Sequence, residues 1–473
     1  MAGSVNMFNI GKSGLQATKS AMTTTGHNIA NVNSEGYSRQ NVEVVSGPTI
    51  PAGRLTFGTG AWTKSVDRVN DEYLDKRIHV EARNMGNIEE KSNYLEQTEQ
   101  IFNEAISEGM NRITTNFFNE FRKLSTDPEN EAVRASVREA SKQLVDEVRR
   151  MDRSLKDVQA NIDNRVEGYV RDVNALSKEI RDLNLMIQKT DAEGSAAPDL
   201  HDKRDLALKK LGAIVDISVS KDKNSRITVT MGGHVPLVCG EQLTELSVVR
   251  TPADPKTGKR EGRLDIYVNE PVPSKLTTQI KTGRLGGLLE VRDKDITQSQ
   301  DEIDQIAHAV SEGVNAIHVQ GFGKDGGTGR LFFKQLDGVT GAAEHIDLSD
   351  DVKENLGAIA AAKDPNSASD NRVAIAISGL ESARGLLEGG TITDKYNSMV
   401  SEMGVKTEAA KKATVFQKDV LTQLETVRES LVGVNLDEET SNLIRFQHAY
   451  AANAKVLSVA DEMMQTVLGT FKG

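Results

Sequence analysis

The chain has 473 residues, which is enough for two to four domains. Only 4% of the residues are aromatic while 27% are charged, and this balance favours long helical bundles over one thick core. The net charge of −11 argues against a nucleic-acid partner, and the lack of a run of 18 apolar residues argues against a membrane-spanning helix.

Residues 5–33 are predicted to form an amphipathic helix. A seven-residue apolar repeat supplies its stripe: Phe8, Leu15, Met22 and Ile29. Gly11, Gly14 and Gly26 each cost about 1 kcal/mol relative to alanine inside a helix. We therefore expect this helix to depend on packing against another element. The segment also lacks the apolar core of a secretory signal, so the chain is expected to stay in the cytosol or to leave without signal cleavage.

Residues 31–40 interrupt the helical pattern and are the expected joint to the next layer. Gly36 permits backbone angles that other residues resist, and Tyr37 can bury its ring while its hydroxyl stays hydrogen-bonded. Arg39 offers several donors to a carboxylate or to carbonyl groups. Short extended pieces are predicted near 42–44 and 55–57.

Helix is predicted again from 72 to 124, and a longer helix should begin after Asp127, with Pro128 in its first turn. Its apolar positions keep an almost unbroken spacing of three and four: Leu144, Val148, Met151, Leu155, Val158, Ile162, Val166, Tyr169, Val173, Leu176, Ile180, Leu183 and Ile187. At 1.5 Å per residue this stripe would be about 65 Å long, so we expect a rod. A short helix is predicted over 199–211.

The sequence pattern then changes: short segments rich in β-branched residues lie between 214 and 268, and they predict a small all-β insertion. Helix returns over 285–317. Residues 321–394 are rich in glycine, with a strand expected at 331–333, and are assigned to the inserted domain. Residues 395–431 are predicted to be helical. The face expected to pack contains Met399, Met403, Phe416, Val420, Leu424, Val427 and Leu431.

The last helix carries a second apolar stripe with alternating steps of three and four: Leu443, Phe446, Tyr450, Asn453, Leu457, Ala460, Met464, Val467 and Phe471. Asn453 is either a residue that sets the register with a partner helix or an incidental neighbour of a small cavity. The acids at 437–439 are expected to cap this helix, and whether Arg39 contacts them is open. Both stripes suit packing within the chain as well as assembly with other copies.

Several motifs that suggest chemistry are better explained by structure. Cys239 has apolar neighbours and is expected to be a small core residue. The glycines of 321–326 match the dinucleotide pattern but follow a helix rather than a strand, so they predict a loop. The eight histidines lack zinc-ligand spacing. We therefore predict no catalytic residue, cofactor or metal.

Three segments resemble bacterial flagellar rod, hook and hook-associated proteins. The sequence Ala-Asn-Val-Asn-Ser-Glu-Gly-Tyr-Ser-Arg-Gln at 30–40 is similar to the signature that follows their first helix, although Ser34 and Glu35 stand where relatives usually carry threonine and proline. Gly-Val-Asn-Leu-Asp-Glu-Glu at 433–439, with Asn-Leu-Ile-Arg-Phe-Gln at 442–447, resembles their C-terminal segment. Asp199-Leu200, Asp202 and Arg204-Asp205 resemble their middle segment.

This resemblance implies a structural, non-enzymatic protein at the junction between hook and filament, exported to the flagellum outside the cell without signal cleavage. It implies a ring of identical subunits that contacts the hook protein and a second junction protein, hook-associated protein 3, and an export chaperone at the C-terminal helix. No nucleic-acid or membrane partner is expected. The implied assembly interface comprises Phe8, Leu15, Met22, Ile29, Asn31, Gly36, Tyr37, Arg39, Gln40, Leu443, Phe446, Tyr450, Asn453, Leu457, Met464, Val467 and Phe471.

The predicted fold is mainly α with an inserted β domain: an elongated multidomain chain with paired terminal helices and a long helical bundle. The expected domains are 1–64 with 432–473 for assembly, 65–212 with 283–320 and 395–431 for the bundle, and 213–282 with 321–394 for an outer β-rich domain. The alternatives are another flagellar axial protein of the rod or hook, an enzyme carried in the outer domain, and a cytoplasmic coiled-coil signalling protein.

Overall fold

The computed structural model describes residues 2–52, 55–102, 109–193, 197–221, 226–251, 263–268, 273–365, 367, 369–388 and 390–470. The helices are α1 Ala2–Ala30, α2 Glu72–Ile101, α3 Met110–Thr126, α4 Glu131–Ala192, α5 Pro198–Ile214, α6 Gly283–Glu290, α7 Thr297–His318, α8 Ala342–His345, α9 Asp350–Glu354, α10 Arg372–Gly379, α11 Ile392–Val432 and α12 Leu436–Thr470. A π-helical stretch, Val291–Ile296, joins α6 to α7, and short 3-10 turns lie at Leu356–Ala358 and Leu380–Ser382.

The strands are β1 Gln40–Ser46, β2 Thr49–Ala52, β3 Leu55–Gly58, β4 Ala61–Arg68, β5 Ile217–Lys221, β6 Ile227–Met231, β7 Val235–Cys239, β8 Gln242–Leu243, β9 Leu246–Arg250, β10 Leu264–Val268 and β11 Ser274–Lys275. They form two two-stranded sheets, β1–β4 and β2–β3, one sheet in the order β5-β6-β7-β8, and one in the order β11-β10-β9. The predicted class, mainly α with an inserted β domain, is confirmed.

The two ends of the chain form one layer. Helix α1 runs antiparallel to α12, since Gly11 lies beside Leu457 while Asn28 contacts Glu439. Strands β1 and β4 pack on another side of α1. The predicted pairing of the chain's first and last helices is therefore confirmed.

Helix α4 is the predicted rod. It has 62 residues, or about 93 Å at 1.5 Å per residue. The predicted stripe is buried along its whole length except at Leu176, which is half-buried. The predicted start is wrong: the Asn130 side chain accepts a hydrogen bond from the Ala132 N–H at 2.9 Å, so Asn130 caps the helix and Asp127 lies before it.

The β insertion packs on the C-terminal half of α4. Asn174 of α4 donates to the carbonyl oxygen of Leu246 and accepts from its N–H, both at 2.9 Å, and Asn184 donates to the carbonyl oxygen of Ile227 at 2.9 Å. These amides satisfy backbone groups at the start of β9 and β6. The expectation that Cys239 is a core residue is wrong, because its side chain is exposed at the end of β7.

The segment expected to complete the β domain, 321–394, packs instead with helices. Phe332 and Phe333 are fully buried, and their rings contact Phe117 and Phe121 of α3. Helix α10 also packs against α3. The expected strand at 331–333 is absent from the described residues, where Phe333 makes only an isolated bridge. The aromatic side chains decide this packing, because packing them against α3 removes more apolar surface from water than pairing in a short strand would.

Helix α11 differs from its prediction in its second half. Met399 and Met403 are buried, as expected, but Phe416, Val427 and Leu431 are exposed. The reason lies on the side that faces α2, where polar contacts replace apolar ones from about residue 411 onward.

We predict that His318 makes stability depend on pH. The ring Nδ1 lies 2.8 Å from the Arg330 carbonyl oxygen, and Nε2 accepts from the Ala360 N–H at 2.9 Å, so the neutral ring is fully hydrogen-bonded. Burial lowers the pKa of His318 from 6.5 to about 4. Because the unfolded chain then binds the proton more readily, the free energy of unfolding should fall as pH drops from 6.5 towards 4, by up to about 1.4 kcal/mol per pH unit.

Urea unfolding of His318→Gln between pH 4 and 7 should show a shallower slope than the native chain. The matched control is His345→Gln, because His345 is exposed. Equal slopes for His318→Gln and the native chain would contradict this account.

Candidate functional site: the terminal helix pair and its joint

The seam between α1 and α12 is lined with small residues. The side of α1 that is buried contains Gly11, Gly14, Ala17, Thr18 and Ala21. A Cβ atom built on Gly11 would lie 3.4 Å from the backbone nitrogen of Leu457, so the two backbones approach closely. The glycines that lower helix propensity therefore allow this contact, a role that periodicity alone did not reveal.

Asn453 lies within this seam. Its side-chain amide donates to the Thr18 hydroxyl at 3.3 Å, and the Thr18 hydroxyl donates to the Gly14 carbonyl oxygen at 2.7 Å. A Cβ on Gly14 would be 2.7 Å from the Asn453 Oδ1 atom. Asn453 therefore makes a polar contact across the seam, as the register interpretation requires, and it also lines a cavity of about 410 Å³, as the other interpretation requires.

The large apolar residues predicted for α1 flank the seam. Phe8, Leu15, Met22 and Ile29 are all half-buried. On α12 the predicted residues Leu443, Phe446, Asn453, Leu457, Met464 and Val467 are also half-buried, while Tyr450 is 41% exposed. Phe471 lies outside the described residues. Each stripe is thus only partly covered within one chain, which leaves apolar surface along both sides of the pair.

Asn28 is the centre of the joint, and sequence reasoning missed it. Its side-chain oxygen Oδ1 accepts from the Tyr37 hydroxyl at 2.8 Å and from the Gln40 N–H at 3.0 Å. Its amide donates to the Gln40 carbonyl oxygen at 2.9 Å and to Glu439 Oε2 at 3.2 Å. Asn28 is almost fully buried, and it ties α1, the predicted turn and α12 together.

Arg39 does contact the acids at the start of α12. Its guanidinium lies 2.9 Å from Glu438 and 2.9 Å from Glu439, whose side chain is 3% exposed. Its backbone N–H donates to the Val432 carbonyl oxygen at 3.0 Å, and its carbonyl oxygen accepts from Val69 at 2.8 Å. A buried carboxylate is costly unless it is paired, so Arg39 and Asn28 together permit Glu439 to be buried.

Carboxylates of α5 attach the joint to the bundle. Asp202 accepts from the Ser38 N–H at 2.9 Å and from Arg68 at 3.1 Å, and burial raises the pKa of Asp202. Asp199 accepts from the Gln40 side chain at 2.6 Å, and Arg68 also donates to Asp205 at 2.5 Å. Sequence reasoning matched these three aspartates to the family's middle segment but did not connect them to residues 31–40.

Backbone geometry explains the predicted turn residues. Gly36 has φ +80°, and a Cβ there would lie 3.2 Å from the Leu206 side chain. Asn31 ends α1, with its side-chain amide donating to the His27 carbonyl oxygen at 3.0 Å. Burial, together with the charges of Asp199, Asp202 and Glu439, raises the pKa of Tyr37 well above its usual value, so its hydroxyl remains a donor to Asn28.

A cleft of about 440 Å³ lies between the joint and the bundle. Charged residues that line the cleft form ion pairs with one another: Arg428 lies 3.0 Å from Asp75, and Lys209 lies 2.8 Å from Glu425.

Within the described ranges, no group of three histidine, cysteine, aspartate or glutamate residues is placed to hold a metal ion. None of the described helices is both long and apolar enough to cross a membrane. The arrangement suits mechanical attachment.

We expect Asn28→Ala to loosen the joint while the bundle stays folded. The substitution leaves the backbone N–H and carbonyl oxygen of Gln40 without their buried partner, and it leaves Glu439 with Arg39 alone, which should cost about 3 kcal/mol. Amide hydrogen exchange should increase in α1 and in the first turns of α12, and should stay unchanged in α4. Asn31→Ala is the control, because the Asn31 side chain bonds only within its own segment. Unchanged exchange in Asn28→Ala would show that the joint does not depend on this amide.

Comparison with known proteins places these features in a family. The family model described as the flagellar hook-associated protein FlgK helical domain matches residues 95–333, just over half of the chain. The models for the flagella basal body rod protein and for the flagellar basal body rod FlgEFG protein C-terminal match 8–37 and 430–470, which are the two paired ends.

Relatives are similar along their whole length. Flagellar hook-associated protein 1 of Bacillus subtilis (strain 168) is 27% identical, over 96% of this chain and 96% of its own length. The protein of the same name from Escherichia coli (strain K12) is 26% identical, over 98% and 99%. The solved flagellar hook junction protein FlgK from Burkholderia pseudomallei shares the fold, with a TM-score of 0.67 and 14% identity over 75% of this chain and 99% of that one. The chain belongs to the family of the flagellar hook-associated protein FlgK.

Proposed function

We propose that this chain is a structural subunit of the bacterial flagellum at the junction between hook and filament. Its relatives are named flagellar hook-associated protein 1, and a solved neighbour is titled a flagellar hook junction protein. The observation that carries the proposal is the antiparallel pair of α1 and α12, whose apolar sides are only partly covered in one chain.

The assembly interface is proposed to be the flanks of this pair. Nine of the residues on the two stripes that sequence analysis predicted are apolar and half-buried, so neighbouring copies would complete their burial. Each fully buried leucine, methionine or phenylalanine contributes roughly 1.5–3 kcal/mol. The joint residues Asn31, Gly36, Tyr37, Arg39 and Gln40 would hold the pair at a fixed angle to the bundle rather than contact neighbours directly.

The proposed partners are other copies of the chain in a ring, the hook protein and hook-associated protein 3. An export chaperone would bind the C-terminal helix before assembly. The proposed location is the flagellum outside the cell, reached without cleavage of a signal. We propose no enzymatic activity, since the charged groups around the joint are used in pairing.

The proposed organisation has three parts. The terminal layer comprises α1, β1–β4 and α12, and the bundle comprises α2–α7 with α11. The inserted β strands form the outer part. The contacts of Phe332 and Phe333 favour grouping 321–394 with the bundle.

The function is tested by deleting the gene in its flagellated host and imaging the cells by electron microscopy. We expect hooks without filaments, and filaments should return when the native chain is supplied. Normal filaments in the deletion strain would refute the proposal.

Gly11→Val should prevent the return of filaments. A Cβ at residue 11 already touches the Leu457 backbone, so the additional methyl groups would force α1 and α12 apart. Gly26→Val is the matched control, since no atom lies within 4 Å of its Cβ position, and it should support normal filaments. Filament counts per cell provide the measurement, and equal counts for the two variants would contradict the close-packed seam.

A further inference from the structure

Helix α11 carries an apolar stripe that is largely exposed. We define the α11 stripe as Val405, Ala409, Ala413, Phe416, Val420, Leu424, Val427 and Leu431. Val405 is 70% exposed, Phe416 68% and Leu431 57%. The spacing of three and four is unbroken from Val405 to Leu431, which is about 39 Å of helix. A stripe of this length is typical of a helix that packs against another.

The stripe is exposed because a different side of the helix bonds to α2. Gln417 donates to Glu81 at 2.7 Å, Lys411 lies 2.9 Å from Glu96, and Arg428 pairs with Asp75. These polar contacts fix the rotation of α11 about its axis. The chain therefore turns polar residues inward and leaves an apolar surface outward, the reverse of a surface helix in a monomer.

A second apolar patch lies on α2. We define the α2 patch as Tyr73 and Val80, seven residues apart, with the stems of Lys76 and Arg77 between them. Tyr73 is 76% exposed and Val80 42%. A tyrosine this exposed at the start of a well-capped helix suits a contact that forms only when another chain arrives.

The α2 patch lies at the level of the C-terminal part of the stripe, and the two surfaces face different sides of the bundle. The Asp75–Arg428 ion pair sets the level, since it joins the start of α2 to the end of α11. Tyr73 is two residues from Asp75, about 200° around the helix, so it points away from α11. Phe416 is one residue from Gln417, about 100° from the side that faces α2. The two surfaces cannot meet within one chain, but they can meet between neighbours.

Charges beside the two surfaces are complementary. Lys76 and Arg77 are exposed, and across the described ranges neither makes an ion pair. Asp419, exposed beside the α11 stripe, has no ion-pair partner in the same part of the chain. A second copy would bring basic residues towards this acid, which favours the correct pairing and its register.

We propose that the α11 stripe of one copy packs against the α2 patch of the next copy. This inference rests on the proposed function and names the surfaces through which the ring closes in its helical bundle layer. Two different surfaces of one chain make a heterologous contact, and such contacts generate rings when the rotation closes. The same stripe pairing with itself would instead give an isolated two-fold dimer.

Cross-linking in assembled flagella tests the proposal. In a Cys239→Ser background, Tyr73→Cys and Leu431→Cys are introduced singly and together, because the Asp75–Arg428 pair puts these two positions at one level. Isolated hook–filament structures are then treated with a short bismaleimide. The double variant should give a ladder of cross-linked chains, while each single variant should give monomers. Dimers from Leu431→Cys alone would overturn the proposal in favour of self-pairing. Attached filaments without any ladder would overturn it too, yet leave the proposed function intact, whereas absence of the chain from the flagellum would refute both.

A charge exchange gives an independent test. Arg77→Glu should lower the number of filaments per cell by about tenfold, because a like-charge contact replaces an attractive one. Adding Asp419→Arg to the same chain should restore the filaments. Lys418→Glu is the control, since Lys418 is exposed but lies about 100° from Asp419 around α11. Failure of the second substitution to restore filaments would overturn the contact.

Discussion

Burial of the Glu439 carboxylate is the constraint on which the arrangement of the chain ends depends. A buried charge destabilises a protein unless an opposite charge and hydrogen bonds accompany it. Here Arg39 supplies the opposite charge and Asn28 supplies a hydrogen bond. Both residues lie about 400 positions before Glu439 in the sequence. Neither end of the chain alone can both present the Glu439 carboxylate and supply its charged and hydrogen-bonding partners. The first and last helices must therefore meet in one register, and the same residues connect them to the bundle, since Asn28 and Asp202 flank the short segment 37–40.

In the terminal pair, different residues align the two helices and supply apolar surface, whereas in a single hydrophobic seam the same residues would do both. Register is set by polar groups, namely the joint at one end and Asn453 with Thr18 within the seam. Close approach is set by Gly11 and Gly14, which lets the backbones come together without using large side chains. The large apolar residues are left on the flanks. A pair built in this way holds its geometry within one chain while its large apolar side chains stay partly exposed, as the proposed assembly requires.

Much of this fold follows from periodicity, and the exceptions have physical reasons. The α4 stripe was predictable because its partners surround it, so all of its apolar positions except Leu176 are buried. The start of α4 was not, because Asp127 and Asn130 are both good capping residues and only the backbone path selects Asn130. Cys239 follows two buried residues on β7, but it is the last residue of that strand and its side chain is exposed. The roles of Asn28 and Asp202 could not be inferred, because hydrogen bonds between distant segments leave no local pattern.

Helices α4 and α11 show why an apolar stripe does not specify its own partner. Both have apolar residues spaced by three and four, yet one stripe is buried within the chain and the other is mostly exposed. The two stripes differ in burial because the other faces of the two helices carry different residues. Helix α11 carries Lys411, Gln417 and Arg428 at positions where α2 offers Glu96, Glu81 and Asp75, so pairing of charges and amides decides which side turns inward. Hydrophobic burial is non-directional, whereas these polar contacts require one rotation of the helix. Polar complementarity within the chain therefore leaves the apolar surface exposed, as the proposed contact between chains requires.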